Sequence, residues 1–255
     1  MNTNSNVYTI IYTTVIVVVV AAVLAFVSTS LKPMQNANIK AETLSQMMTA
    51  AGLGSKEDFS KMGNDGVLGT YSENIEQAFT VNLAGERTGE LKTAKDEIEL
   101  IDNLKPQNKA ILAAGEPQLP VYKFKSGVTV VPVYGAGLWG PIWGYIALEE
   151  DLRTIAGAYF DHDSETPGLG AKIKDEPSFK AQFEGKVFNL ENPSNPFDIV
   201  KGGAPEGAMD KIDAISGATM TCNGLNQAID IWIGAYANYF SKQTASTEAE
   251  TTEEE

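Results

Sequence analysis

The chain is nearly without thiol or imidazole. Its 255 residues include one cysteine, Cys222, and one histidine, His162. No intrachain disulfide can form, and neither a zinc site nor a Cys-plus-His metal cluster can be built. Redox chemistry in such a chain needs a borrowed organic cofactor. Positive charge is also scarce: 19 Lys and Arg stand against 33 Asp and Glu, a net charge of -14. That excludes nucleic acid as a partner, because its phosphates need a basic face. Glu248, Glu250, Glu253, Glu254 and Glu255 hold part of this acid at the C-terminus. No strand, Gly-x-Gly-x-x-Gly, helix order is present, so the chain is not expected to bind a nicotinamide dinucleotide. Charge is missing altogether from Val7 to Leu31, and no Lys or Arg precedes Lys32.

The last absence defines the first element. Residues 7–31 would rise about 37 Å as a helix, enough to span a hydrocarbon core of about 30 Å with some tilt. Tyr8 and Tyr12 suit an interface at one end. The run is too long for a signal-peptide core, has no basic residue before it and no Ala-x-Ala site after it, so a retained transmembrane helix is expected. Lys32 on the C-terminal side points weakly to a cytoplasmic domain by the positive-inside rule.

The rest of the chain divides further. Residues 1–6 form an N-terminal tail. Residues 32–54 form a stalk helix, with Ile39, Leu44, Met47, Met48 and Ala51 at helical spacing and Gly52-Leu53-Gly54 as its stop. A domain follows over 55–240, with its core in 119–240. Residues 55–71 are polar and mixed, 72–79 suit a helix, and 80–102 carry little periodicity. Strands are expected at 119–124, 128–134, 142–148 and 154–161, where β-branched and aromatic residues cluster between turns. A glycine-rich loop, Gly135 to Pro141, lies between the second and third. A short amphipathic helix is expected at 177–183 and a short strand at 197–201. Leu225, Ile229, Trp232, Ile233, Tyr236 and Phe240 make one helical face. Residues 241–255 are polar and acidic, and a disordered tail is expected. The fold class is α+β: a mainly antiparallel, twisted sheet with packed helices, plus one N-terminal transmembrane helix and its stalk.

Chemistry concentrates in Asp213-Ala214-Ile215-Ser216-Gly217-Ala218-Thr219-Met220-Thr221. Gly217 and Ala218 leave the backbone uncrowded beside the Thr219 hydroxyl. A helix opens at 220–223, and its free N–H groups and positive dipole end favour a phosphate. The plainer reading is a small-residue turn with a helix cap. His162, among Asp161 and Asp163, is read as a solvated loop residue, not a catalyst. Cys222 is read as a packing residue whose place at a helix start lowers its pKa.

Asp213-x-x-Ser216-Gly217-Ala218-Thr219 resembles the flavinylation motif of FMN-binding domains. The wider pattern is similar to the NqrC family, found in Na+-translocating NADH:quinone oxidoreductases. It runs through Leu31-Lys32-Pro33, Asn36-Ala37-Asn38-Ile39, Ala50-Ala51-Gly52-Leu53, Leu119-Pro120-Val121-Tyr122, Gly137-Leu138-Trp139, Glu165-Thr166-Pro167-Gly168-Leu169-Gly170 and Val200-Lys201-Gly202-Gly203-Ala204-Pro205. The flavin motif and the Glu165 to Gly170 block also resemble the RnfG family of Rnf ferredoxin:NAD complexes, and that alternative stays open. So does a non-redox, membrane-anchored binding protein in which these loops are only turns.

The resemblance implies FMN linked covalently by a phosphoester to Thr219, with no catalytic residue and no metal on this chain. Ser216 and Thr221 would flank the phosphate, beside Gly217 and Ala218. Asp213 would be read by an FAD-dependent FMN transferase. Glu165, Thr166 and Leu169 would line the flavin, Trp139 would pack near its ring, and Lys201 would lie near the phosphate or ring. Trp143 and Trp232 are read as core indoles. The implied function is electron transfer within a complex that couples NADH oxidation and ubiquinone reduction to sodium export. Its partners would be the other subunits and membrane lipid. The implied place is the bacterial inner membrane, single-pass, with the flavin domain periplasmic.

Overall fold

The structure is a computed structural model that describes the backbone of residues 6–253 and the side chains of residues 6–245. It divides into two units, residues 1–42 and 43–255. The first consists of the apolar part of α1 (Asn6–Ala50), the stretch among the described residues that is long and apolar enough to cross a membrane. The expected change of element at Lys32 and Pro33 is not a break. The helix passes through Pro33, which removes one backbone hydrogen bond without ending it. The stop falls where it was expected. Gly52 adopts φ +72, the Leu53 N–H reaches the Met48 carbonyl at 2.9 Å, and the Gly52 N–H reaches Thr49 at 3.1 Å. This is the paired bonding of a Schellman cap, and it needs a left-handed residue at that point.

Within the second unit, the end of α1 buries Leu44, Met47 and Met48 fully. Ser55 and Asp58 then form a reciprocal capping box that starts α2 (Lys56–Asn74), which kinks at Gly63. The sheet has six antiparallel strands in the order β2-β1-β3-β4-β5-β6. They are β1 (Ile75–Val81), β2 (Arg87–Glu90), β3 (Leu119–Phe124), β4 (Thr129–Ala136), β5 (Pro141–Leu148) and β6 (Ile155–His162). The four strands from 119 onward match the expectation. The helix expected over 72–79 is instead the end of α2 followed by β1. Ile75 to Val81 pairs along β3, and that pairing overrides local propensity. A further helix, α3 (Leu104–Leu112), fills part of the region between β2 and β3.

After β6 come two short helices, α4 (Lys172–Asp175) and α5 (Pro177–Ala181). Phe183 packs on Phe160 of β6, on Phe179 and on Phe197, which in turn meets Phe188, at centroid distances of 5.0 to 5.7 Å. A parallel pair, β7 (Asp198–Val200) and β8 (Lys211–Asp213), follows. Because it is parallel, the turn after β7 and the segment after β8 leave from the same end. That segment leads into α6 (Thr219–Glu253). Leu225, Ile229, Trp232, Ile233, Tyr236 and Phe240 are all fully buried, as their spacing requires. The small residues Gly135 and Ala228 let α6 approach β4: a Cβ on Gly135 would stand 2.7 Å from the Ala228 methyl. The Trp232 indole N–H donates to the Tyr134 carbonyl at 2.9 Å and to Asn108 at 3.0 Å, so this indole is both core and anchor. The disorder expected from residue 241 is not found through Glu253. Ser241 to Glu253 is mostly Thr, Glu, Ser and Ala, so the helix owes little to propensity there; extending an anchored helix is far easier than nucleating one. Residues 1–5 of the expected N-terminal tail, with Glu254 and Glu255, lie outside the described residues.

One group in this core is poorly satisfied. Asp230 on α6 accepts from the Asn226 amide at 2.8 Å through Oδ2, while its buried Oδ1 has no partner. Burial, with the Asp198 carboxylate nearby, pushes its pKa up to about 7. The unfolded chain releases this proton in the ordinary carboxylate range, and the folded chain holds it to about pH 7. Stability should therefore fall as pH rises through that interval and stay lower above it. In Asp230→Asn, thermal melts of the detergent-solubilised chain should show a higher Tm at about pH 8, with less dependence on pH below it.

Candidate functional site

The motif loop between β8 and α6 separates two depressions. The first, about 140 Å³, is lined by Leu138, Glu165, Thr166, Leu169, Gly170 and the run Gly217 to Thr221. Three loops converge there: the β4–β5 loop, the loop after β6, and the start of α6. The second, about 200 Å³, is lined by Lys172, Glu176, Ser178, Phe179, Gln182 and Asp213 to Ser216.

Thr219 is the first residue of α6 and is half-buried in the first cleft. The Cys222 N–H donates to the Ala218 carbonyl at 2.9 Å, closing the first turn. The N–H groups of Thr219, Met220 and Thr221 therefore open the helix, where no intrahelical acceptor exists. No acidic residue occupies this first turn. The end is thus left to an external anion. Gly217 holds φ +81, and a Cβ there would press to 2.9 Å on Leu169. Only glycine fits this turn without strain.

Glu165 organises the cleft. Its side chain is buried, yet both oxygens are used. The Trp139 main-chain N–H donates to Oε1 at 2.9 Å, and the Thr221 hydroxyl donates to Oε2 at 2.6 Å. One carboxylate therefore ties the β4–β5 loop to the start of α6. Around this tie, Leu138, Trp139, Leu169 and Met220 expose 44 to 67% of their surface. Clustered exposed apolar side chains mark binding surfaces in soluble domains.

The expected site residues separate into three groups. Thr219, Gly217, Ala218, Glu165, Thr166, Leu169 and Thr221 line one cleft together. Trp139 joins them by its backbone, and its indole is 67% exposed. The Thr221 hydroxyl, expected beside a phosphate, is spent on Glu165. Ser216 and Asp213 line the second depression instead. Asp213 Oδ1 accepts the Ala204 N–H at 2.7 Å, tying down the turn after β7. Lys201 begins that turn and is exposed. The parallel register of Val200 with Asp213 puts it beside the start of the motif and outside the cleft lining. Leu138, Gly170 and Met220 also line the cleft, although nothing in their own residue types marks them. Leu138 and Gly170 sit inside two of the motif blocks, and Met220 directly follows Thr219.

Two readings are corrected. Cys222 is buried, and burial raises its thiol pKa despite the helix start and the Ile215 N–H that donates to its sulfur at 3.3 Å. His162 is not a solvated loop residue. It ends β6, half-buried, and its Nδ1 accepts the Glu165 N–H at 3.2 Å. Trp143 is partly buried, with its indole N–H donating to Gln46 at 3.3 Å.

The residues present fit FMN with its phosphate at the helix start. A partly exposed hydroxyl stands at a helix start with free N–H groups, in a glycine-lined cleft with an apolar rim. These features define a flavin-binding type of domain, and the comparisons agree. The FMN-binding domain family profile matches residues 137–234. The C subunit of the Na(+)-translocating NADH-quinone reductase of Vibrio campbellii is 32% identical over 225 residues, covering 83% of this chain and 84% of its own. Its Vibrio anguillarum counterpart is 31% identical over 222 residues, with the same coverage. The crystal structure of the corresponding C subunit from Parabacteroides distasonis is similar with a TM-score of 0.65 at 29% identity, over 83% of this chain and 97% of that one. The Shewanella oneidensis NqrC structure gives 0.61 at 29% identity, over 81% and 98%. The chain belongs to the NqrC family, the C subunits of Na+-translocating NADH-quinone reductases.

Two outcomes follow from the packing of the cleft. A Cβ at Gly170 would clash with Glu165 Oε2 and stand 2.5 Å from Thr221 Oγ1. Gly170→Ala should destabilise the domain by about 1–3 kcal/mol in chemical denaturation, because the carboxylate tie must open. Cys222 should resist alkylation by iodoacetamide at about pH 8 in the folded chain and react fully once unfolded.

Proposed function

We propose that this chain is an electron-transfer subunit that carries FMN covalently through a phosphoester on Thr219. The observation that carries the reading is the placement of the Thr219 hydroxyl. It stands at the open N-terminus of α6, in the cleft lined by Glu165, Thr166, Leu169 and Gly217. FMN, once bound, supplies the reversible acceptance and release of electrons.

The chain's own residues supply attachment, position and shielding. Thr219 offers the hydroxyl. The N–H groups of Thr219, Met220 and Thr221 receive the negative charge of the phosphodiester. Gly217 keeps the approach open. Glu165 fixes the opposite wall through the Trp139 N–H and the Thr221 hydroxyl. Leu138, Trp139, Leu169 and Met220 form an apolar rim for a ring system. Asp213 holds the neighbouring turn in place and stands where an FMN transferase would meet the motif; Ser216 lies on the second depression's side, and Lys201 begins the turn that Asp213 holds. No general base or nucleophile is needed beyond the attachment step.

The relatives' names support membership of a complex that oxidises NADH, reduces quinone and moves sodium. This chain would be joined there by the other subunits, which must provide the nicotinamide site and the ion path. A single helix without intramembrane charge is a poor ion path. The apolar part of α1 supports a single-pass anchor in the bacterial inner membrane. The domain would face the periplasm, since long domains translocate largely regardless of flanking charge.

The test is coexpression with an FAD-dependent FMN transferase, followed by denaturing electrophoresis under ultraviolet light. The wild-type band should fluoresce and Thr219→Val should be dark at equal expression. A fluorescent Thr219→Val band, or a dark wild type, overturns the attachment. A reporter fused after Glu255 should report a periplasmic C-terminus.

A further inference from the structure

His162 is the sole histidine in the chain, and the cleft does not use it directly. Its main-chain N–H donates to Asp161 Oδ1 at 2.8 Å. Asp161 is buried and held from two other elements. The Lys174 ammonium of α4 lies 2.7 Å from Oδ1, and the Gln46 amide of α1 donates to Oδ2 at 3.0 Å. The Gln46 side-chain carbonyl in turn accepts the Trp143 indole N–H of β5. A buried network satisfied at every step is rigid. It fixes the end of β6 and presents the imidazole to the next turn, where Nδ1 takes the Glu165 N–H.

We propose that His162 is a positioning residue for the flavin site: its unprotonated Nδ1 folds the 162–165 turn so that the Glu165 carboxylate reaches the Trp139 N–H and the Thr221 hydroxyl together. The consequence for flavin rests on the function proposed above; the latch itself does not. Accepting at Nδ1 places the ring proton on Nε2. A proton on Nδ1 would meet the Glu165 N–H donor to donor, and the bond would be lost. The tie from Glu165 to the β4–β5 loop and to α6 would then loosen, and with it the wall opposite Thr219. The charged and titratable neighbours are Asp161 and Asp163 on either side, Glu165 closing the turn, Lys174 on Asp161, and Tyr134 of β4 near Asp163. β5 brings the apolar Ile142 opposite His162.

The test uses the full-length chain in detergent micelles, without flavin and after loading. With one imidazole present, long-range 15N–1H spectra report this ring alone. The Nε2–H tautomer is expected at about pH 8, and the Nδ1–H tautomer overturns the proposal. Amide exchange at Glu165 and Trp139 should quicken about three- to tenfold in His162→Ala, the loss of one hydrogen bond. His162→Asn, whose side-chain carbonyl can accept in place of Nδ1, should keep wild-type protection. Exchange in His162→Asn as fast as in His162→Ala overturns the latch. If His162→Ala does not fold, the wild-type tautomer and the exchange of His162→Asn decide. In the loaded chain, flavin anisotropy should fall in His162→Ala and hold in His162→Asn. A wild type that takes no flavin overturns the functional reading, while the tautomer and exchange still decide the latch.

Discussion

The arrangement of the cleft depends on one buried carboxylate that must be satisfied. Burying a carboxylate is costly unless its oxygens find donors, and Glu165 finds them on two elements distant in sequence. That requirement sets the course of the β4–β5 loop, which must turn its Trp139 N–H inward and so leaves the indole outside. It also sets the start of α6, which must bring Thr221 within reach. Room for the carboxylate accounts for two glycines. A Cβ on Gly137 or Gly170 would occupy the space of the Glu165 oxygens. With Thr221 held, Thr219 falls two residues earlier, on the open side of the same helical turn.

The larger frame serves this point. The core face of α6 packs against β4, at the sheet position next to the glycine-rich loop. Small residues at Gly135, Gly224 and Ala228 permit a close approach. The parallel pairing of β7 with β8 does a second job: it delivers the motif and the Lys201 turn to the same end, and Asp213 then bonds them together. The motif loop is thereby held from both sides, with the apolar rim on one and the second depression on the other.

Much of this was legible in the residues. The β-branched runs from 119 onward, the glycine stop at 52–54 and the apolar face of α6 are local patterns with local causes. The motif blocks pointed to one cofactor and to the loops that meet around it. Other features were not legible, for reasons that can be named. Ile75 to Val81 has no strong period of its own and becomes a strand because β3 offers it a partner. Pro33 signals a break that a long helix absorbs. The acidic composition after residue 241 signals disorder, but it continues a helix already anchored by Trp232, Tyr236 and Phe240. Ser216 belongs to the motif but lines the second depression, and Lys201 stays outside the cleft lining, since the loop has two sides and spacing does not say which side a residue takes.

The amino-acid sequence by itself determined the absence of a disulfide, the uncharged span, the class of fold and the threonine of the motif proposed to carry flavin. Each follows from residue type or from short-range spacing. Only the tertiary structure decided what surrounds that threonine. Glu165, Trp139 and Thr221 meet through hydrogen bonds between positions 26 and 56 residues apart. His162 became a structural acceptor, not a solvated side chain, because a turn brings the Glu165 N–H to it. Cys222 was set toward the thiol form because burial outweighs its place at a helix start. Hydrogen-bond satisfaction and desolvation depend on which groups meet in space, and no pattern along the chain states that.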